Sequence, residues 1–459
     1  MARCFCRWCN VLFCLCTPCI CLALLFIYIS VMVCMSMNGG AQKSLETLHF
    51  VASGTCKNKS FASHPKAFWE VTPDRDAFWN QLQLAIDRHF NPILHQNNTK
   101  RRSENSNIHE SPLRQSYSEV TNLDSTKRNF DELPQEMQDF VRHMQRRDYP
   151  TLIQPDGVCG AGAKDEKEPV MLLLAIKTTK LNFQNRQAIR QTWGQAGWVA
   201  GKMSNSNGGE EAGGYVRRVF LLGKEESQEL DEALLQLLQI ESNLYEDILQ
   251  WDFNDTFFNL TLKDVLFWSW FSHFCSQTRF VFKGDDDVFL NTPKMINYLQ
   301  DQLKKPQAHK TIKDFMVGDV IDVAIPIRVN NSKYFIPDSF YKGFYPPYAG
   351  GGGVVYSGLL IKRLHYISKR VHMFPIDDVF VGMCMIRLNA YPVHHPAFLT
   401  FDFPEKEGEE LCAYHTILLV HKRSPTEVVR LWTDMKKTQT QCWDVPLRAA
   451  DKNKIKQTL

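Results

Sequence analysis

Residues 279–291 read RFVFKGDDDVFLN, an apolar run that ends in three consecutive carboxylates, Asp285, Asp286 and Asp287, before apolar side chains resume. Phe280 and Phe282, at alternate positions, predict a buried strand that runs into an acidic tip. Neighbouring like charges repel, so the triplet needs either water or a counter-ion. A solvated turn at a strand end satisfies the pattern. So does a cation site, because adjacent carboxylates become favourable when a hard divalent ion lies between them.

Working outward, VMLLLAIKTT (170–179) is a buried-strand run, FQNRQAIRQTWG (183–194) a helix, RRVFLLG (217–223) a second strand, and SQELDEALLQLLQIES (227–242) a second helix. DILQWDF (247–253) and the helical LTLKDVLFWSWFSHFC (260–275) then lead into the acidic strand. Strands alternating with helices imply an α/β fold with a mainly parallel central sheet flanked by helices. Ligands in such sheets bind beyond the carboxyl ends of the strands, where Asp285 to Asp287 fall, and this favours the cation site over the turn. GKMSNSNGGEEAGG (201–214) offers nothing apolar to bury and reads as a dispensable loop.

The chain has 459 residues, 53 basic and 50 acidic side chains and a net charge of +3, a balance that gives no footprint for nucleic acid. Its first ten residues carry Arg3 and Arg7, and Val11 to Met37 contains no charged side chain. The 19 residues CICLALLFIYISVMVCMSM reach the ~30 Å of a bilayer core at ~1.5 Å per helical residue. We therefore expect a cytosolic tail (1–10), a retained signal anchor (11–37) and a type II topology that puts the remainder on the luminal side. Eight of the 14 cysteines, from Cys4 to Cys34, belong to tail and anchor. Cys4, Cys6 and Cys9 are apolar filler or palmitate sites. The other six, Cys56, Cys159, Cys275, Cys384, Cys412 and Cys442, suit an oxidising compartment and allow 15 pairings. No CxxC pair suggests zinc. Acceptor sequons for N-glycosylation begin at Asn58, Asn97, Asn254, Asn259 and Asn330.

A polar luminal stem is expected over 38–149, with NNTKRRSENSNIHESP (97–112) as its most disorder-like stretch. Within it, FWNQLQLAIDRHFNPIL (78–94) has the apolar spacing of a helix that docks on the domain from 150 to 459.

Four further segments bear on the acidic triplet. Arg186 and Arg190 stand four apart on one helical face just beyond a strand, placed either as a solvated face or as a clamp on phosphate oxygens. YPPYAGGGGVVYSG (345–358) sets Gly350 to Gly353 between Tyr345, Tyr348 and a Val-Val-Tyr run, an ordered wall whose bare backbone lets a flat ligand approach. FPIDDVFVGMCM (374–385) opens an apolar helix with Asp377 and Asp378, where the helix dipole favours their ionised forms; this suits a cap or a base. LLVHKR (418–423) places His421 after a strand, as a structural histidine or a metal ligand.

RQAIRQTWG, FKGDDDVFLN, YPPYAGGGGVVYSG and DDVFVGMC, in this order, resemble the motifs of the β-1,3-glycosyltransferase family, Golgi enzymes of the GT-A fold. The resemblance covers Pro150 to Trp443 and is nearest to the N-acetyllactosaminide β-1,3-N-acetylglucosaminyltransferase branch. One departure is that the family often has Glu-Asp where this chain has Asp377-Asp378. The resemblance implies a Golgi-membrane enzyme that moves N-acetylglucosamine from UDP-N-acetylglucosamine onto a galactose-terminated glycan, inverting the anomeric centre, and that associates with itself or with other Golgi transferases. It further implies that Asp287 and His421 ligate Mn2+. Asp285, Asp286, Arg186, Arg190, Gly351 and Gly352 face the donor, Asp377 and Tyr348 face the acceptor, and Asp378 is the base. A UDP-galactose donor, an inactive glycan-binding homologue and a metal-dependent hydrolase are the alternatives.

Overall fold

A computed structural model describes residues 77–90, 130–155, 159–162, 166–201, 213–224, 231–404 and 406–449. The expected tail and anchor, Cys56, Asn58, Asn97 and residues 202–212 of the expected loop lie outside the described residues. No helix among the described residues is long and apolar enough to cross a membrane.

The core is a nine-stranded sheet. Its strands are β1 (Thr151–Ile153), β2 (Leu172–Lys177), β3 (Gly197–Ala200), β4 (Gly213–Lys224), β5 (Ile248–Asn254), β6 (Phe280–Asp285), β8 (Met316–Ile321), β9 (Tyr348–Ser357) and β10 (Val393–His394). Three short strands, β7 (Phe289–Leu290), β11 (Phe398–Leu399) and β12 (Leu419–Val420), form a second sheet. The order across the large sheet is β1-β5-β4-β2-β6-β9-β8-β10, with β3 beside β4.

The centre, β5-β4-β2-β6, is parallel as alternation with helices dictates. The sheet as a whole is mixed, which corrects the mainly parallel expectation. β9 returns antiparallel between β6 and β8, and β1 and β3 close the other side antiparallel. β4 also begins at Gly213, so the last two glycines of the expected loop are strand.

The longer helices among the described residues are α1 (Phe78–Phe90), α2 (Gln135–His143), α3 (Phe183–Gln191), α4 (Asp231–Tyr245), α5 (Leu260–Phe274), α6 (Thr292–Lys304), α7 (Gly358–Ser368), α8 (Asp377–Arg387) and α9 (Pro425–Cys442). The pleat divides the core in two. Leu173, Ala175, Val219, Leu221 and Val281 pack with α1, α2, α5, α7 and α8. Leu172, Leu174, Ile176, Phe220, Phe280 and Phe282 pack on the opposite face with α3, α6 and α9.

Both α1 and α2 fall within the span read as stem, yet their apolar faces are built into this core. Trp79 donates its indole N–H to the Met373 carbonyl at 3.1 Å. Asp87 accepts from Arg387 at the end of α8, with its oxygens 2.5 and 2.9 Å from the guanidinium. The α1 helix therefore fixes the far end of the helix whose first turn holds Asp377 and Asp378.

Disulfides join Cys159 to Cys275 and Cys412 to Cys442, while Cys384 is a buried free thiol. The six later cysteines are thus not all paired; Cys384 sits inside the apolar helix α8, and burial pushes its pKa up to about 12.

Candidate active site

Parity along two strands builds the site. In the ladder between β2 and β6, Lys177 lies opposite Asp285. Both are odd-numbered, like Leu173, Ala175 and Val281, so they and Lys283 point to the face covered by α5 and α8. A lysine there has to meet a carboxylate. The Lys177 ammonium is 3.0 Å from Asp285 and 2.8 Å from Asp377. That of Lys283 is 2.6 Å from the fully buried Asp264, 3.7 Å from Asp377 and 3.9 Å from Asp378.

The first two residues of α8 consequently live in different surroundings. Asp377 is 9% exposed and Asp378 29%. Burial alone would lift the Asp377 carboxyl, but Lys177 and Lys283 outweigh it and hold Asp377 well below the usual carboxylate range. Burial and then the Asp377 charge push Asp378 the other way, up to about 7. One carboxylate of the pair is tied down and charged; its neighbour is poised near neutrality and open to the cleft. A side chain at Gly350 would come within 3.1 Å of the Asp378 carboxylate, so the absence of one keeps that oxygen accessible.

Across β6, the imidazole Nε2 of His421 is 3.2 Å from Asp287 and 3.8 Å from Asp285. These three residues offer ligand atoms that all lie within 4.8 Å of one another. Two carboxylate oxygens and an imidazole nitrogen are a donor set suited to a divalent cation of intermediate hardness. The other ring nitrogen of His421 is buried with no hydrogen-bond partner among the described residues, so the ring's polar contact runs through Nε2 to this pair of carboxylates. Burial would raise the Asp287 carboxyl, but the His421 hydrogen bond and charge hold it below the ordinary range. Burial would lower the imidazole, and Asp287 raises it.

Several expected site residues lie elsewhere. Asp286 has the opposite parity to Asp285 and turns inward. It accepts from the Thr178 hydroxyl and from Asn182 at 2.9 Å, pinning the turn between β2 and α3; burial lifts its pKa to about 6. It is therefore an internal anchor, which corrects its donor-facing expectation.

Arg186 and Arg190 are likewise withdrawn from the cleft. Arg186 pairs with Glu241 at 2.7 Å, while Arg190 pairs with Glu241 at 2.6 Å and with Asp247 at 2.7 Å. Arg218 completes the cluster 2.7 Å from Asp247. The spacing of the two arginines reflects a buried partnership with α4 and the start of β5, and not a phosphate clamp.

Gly351 and Gly352 adopt φ of +84° and +87°, the left-handed region that favours glycine. Added side chains would collide with Thr400 and with the His421 ring. The glycine run thus lets β9 pass against the candidate metal ligands. Tyr348 opens β9 beside Asp378, and burial and then that charge hold its hydroxyl up at about 12.

Lys177, Lys283, Asp264, Glu241 and Asp247 were not singled out in the sequence. The signal was there for the lysines, since a lysine inside LLLAIK or FVFKGD must be paired.

Residues 184–396 match the family model described as Galactosyltransferase. The chain is 42% identical over 378 residues to N-acetyllactosaminide beta-1,3-N-acetylglucosaminyltransferase 2 from Homo sapiens, covering 82% of this chain and 88% of that one. It is 40% identical over 308 residues to UDP-GlcNAc:betaGal beta-1,3-N-acetylglucosaminyltransferase 7 from Rattus norvegicus, covering 66% and 72%. It is 39% identical over 313 residues to N-acetyllactosaminide beta-1,3-N-acetylglucosaminyltransferase 4 from Mus musculus, covering 68% and 81%. With identity of this extent over most of both lengths, the chain belongs to the β-1,3-glycosyltransferase family that these β-1,3-N-acetylglucosaminyltransferases represent.

Proposed function

We propose that the protein is an inverting, divalent-metal-dependent transferase that moves N-acetylglucosamine from UDP-N-acetylglucosamine to O3 of a terminal galactose. The observation that carries this reading is the pairing of an accessible, near-neutral carboxylate, Asp378, with the Asp285–Asp287–His421 donor set across β6. The donor identity is supported by the names of the relatives.

The chemistry follows from the charges. Asp264, Asp285, Asp287, Asp377 and Asp378 face or underlie the cleft against Lys177, Lys283 and His421, so the cleft is net acidic when these carboxylates ionise. A nucleoside diphosphate is an anion, and an acidic cleft accepts it only with a cation. Asp285, Asp287 and His421 would hold that cation, Mn2+ in our reading, and it would neutralise charge on the departing diphosphate.

Asp378 takes the proton from the galactose O3 hydroxyl as that oxygen bonds to the anomeric carbon of the donor. The bond from that carbon to the UDP oxygen breaks, and UDP leaves with the electron pair. Attack opposite the leaving group turns an α-linked donor into a β-linked product with no covalent enzyme intermediate. Lys177 holds Asp285 and Asp377 in register, linking the donor and acceptor sides.

We also infer a Golgi-resident type II protein held by residues 11–37, because that stretch is uncharged and sequons follow it. Self-association or association with other Golgi transferases belongs to the same reading. The test is a donor screen of the full-length protein on lactose-type acceptors with Mn2+, and after chelation. Transfer from UDP-N-acetylglucosamine that ceases on chelation is the expected result. Transfer from UDP-galactose alone, or turnover unaffected by chelator, overturns it.

A further inference from the structure

The candidate cation site draws its ligands from two turns far apart in the chain. Asp287 lies in the turn between β6 and β7, and His421 follows β12. The small sheet brings them together, because β12 runs antiparallel to β7 and parallel to β11. The strand pairing ends at Val420, one residue short of the imidazole, and the His421 N–H then donates to the Leu399 carbonyl at 3.1 Å. A ligating imidazole is ordinarily oriented by a hydrogen bond from its other ring nitrogen. In His421 that nitrogen is buried and has no such partner among the described residues, so the ring has to be oriented through its backbone.

Arg423 is built to do this. Its backbone N–H donates to the Asp287 carbonyl at 2.7 Å. Its guanidinium, only 7% exposed, turns back and donates to the His421 and Lys422 carbonyls at 3.2 and 3.1 Å. It also pairs with Asp402, in the turn that follows β11. One buried side chain thus ties both ligand-bearing turns to each other and to a third. Between them Lys422 sits at φ +59°, in the left-handed region that residues other than glycine rarely adopt. Such a conformation persists where its surroundings over-determine it, and here Arg423 holds the carbonyls on both sides of it.

We propose that Arg423 is a positioning residue of the cation site, which sets His421 against Asp287 through the backbone in place of the missing hydrogen bond to the ring. The inference rests on the cation role given to Asp285, Asp287 and His421 under Proposed function. Arg423 acts through His421 and not on the reacting atoms. Asp378 stands apart from it, beside Lys283, so loosening Arg423 costs ion affinity and leaves proton abstraction in place. A lysine at 423 keeps the charge and the backbone N–H, but its ammonium cannot span two carbonyls and the Asp402 carboxylate at once.

The test compares full-length wild type with Arg423→Lys in two readouts. Mn2+ affinity is read without turnover, from the electron paramagnetic resonance signal of the free ion with UDP present and a protein-free UDP control subtracted. The second readout is kcat at saturating Mn2+ with UDP-N-acetylglucosamine and a galactose-terminated acceptor. Arg423→Lys should weaken Mn2+ binding by about tenfold and keep kcat at saturating Mn2+ within about twofold of wild type. Asp402→Asn removes one anchor of the guanidinium at a side chain 65% exposed, so it spares the fold and should weaken Mn2+ binding by less. It carries the test if Arg423→Lys does not fold. Mn2+ affinity equal to wild type in the folded variants overturns the inference and leaves Arg423 a residue of the fold alone. A kcat that falls at saturating Mn2+ with affinity intact overturns it as well, and moves Arg423 into the transfer step. Wild type that takes up no Mn2+ overturns the cation site itself, a failure visible before any substitution is made.

Discussion

Two clusters of charge occupy opposite faces of β2, and they are built to opposite ends. On the α3 side, Arg186, Arg190 and Arg218 meet Glu241 and Asp247, and none of the five side chains is more than 7% exposed. The guanidinium excess there is taken up by carbonyls, with Arg186 donating to Thr179 and Arg218 to Gly194 at 2.5 Å each. On the α8 side, carboxylates outnumber lysines, and Asp285, Asp287 and Asp378 are 37%, 43% and 29% exposed. The first cluster is saturated and buried, which is how charge serves a fold; the second has surplus charge and an open side, which is how charge serves chemistry. Residue type did not separate them. Partner count and exposure did.

The comparison breaks most visibly at the open cluster. Asp287→Ala removes a carboxylate from the candidate cation site and should abolish measurable transfer at any practical Mn2+ concentration, with Tm nearly unchanged because the side chain is 43% exposed. Full activity in chelator would end the metal argument. Asp378→Asn keeps shape but accepts no proton, so kcat should fall on the order of a hundredfold or more with UDP affinity retained. Its stability should equal or exceed wild type above pH 7. The folded state raises the Asp378 pKa, so ionisation costs stability as pH climbs from the ordinary carboxylate range to about 7, and Asn avoids that cost. A dead Asp377→Asn beside a normal Asp378→Asn would move the base by one residue.

At the saturated cluster the order inverts. Arg190→Met strands Asp247 and Glu241 with fewer partners, and breaking a buried pair of this kind costs about 3–5 kcal/mol. Urea unfolding should show the loss, and the KM for the donor in the protein that remains folded should stay within about twofold of wild type. A stable Arg190→Met enzyme with donor affinity reduced tenfold would return Arg190 to the nucleotide.

What the sequence disclosed and concealed follows from the range of each interaction. Phe280 and Phe282 alternate, so β6 and its acidic tip were legible; the apolar spacing at 78–94 likewise marked α1. Arg186 and Arg190 looked like a clamp because their spacing is local while their partners lie about 50 residues on. Strand direction was hidden for the same reason. Nothing in YAGGGGVVYS says that β9 returns antiparallel beside β6, since the pleat is the same either way. Asp286 was the avoidable miss, because alternation along VFKGDD already puts it on the face opposite Asp285.

The smallest expected effect discriminates best between two explanations of a pH profile. Proton abstraction needs ionised Asp378, so kcat/KM for the acceptor should rise with pH, with a midpoint near 7, and fall by about tenfold per unit below it. His421 also titrates upward of its ordinary value, held there by Asp287, and would yield a similar limb if it were the controlling group. The two part company in Asp377→Asn. The Asp377 charge is the second cause, after burial, of the high Asp378 pKa, and its removal also frees Lys177 and Lys283 to stabilise the Asp378 carboxylate. Both changes act in one direction, so the midpoint should move below 7 toward the ordinary carboxylate range, in an enzyme weakened by the loss of its buried pair. His421 is held up by Asp287 and then Asp285, while Asp377 is engaged with Lys177 and Lys283, so a limb owned by the imidazole should stay close to where it was. A midpoint that does not move in Asp377→Asn, and that survives at the residual rate of Asp378→Asn, would transfer control of the reaction from the pair on α8 to the histidine beside Asp287.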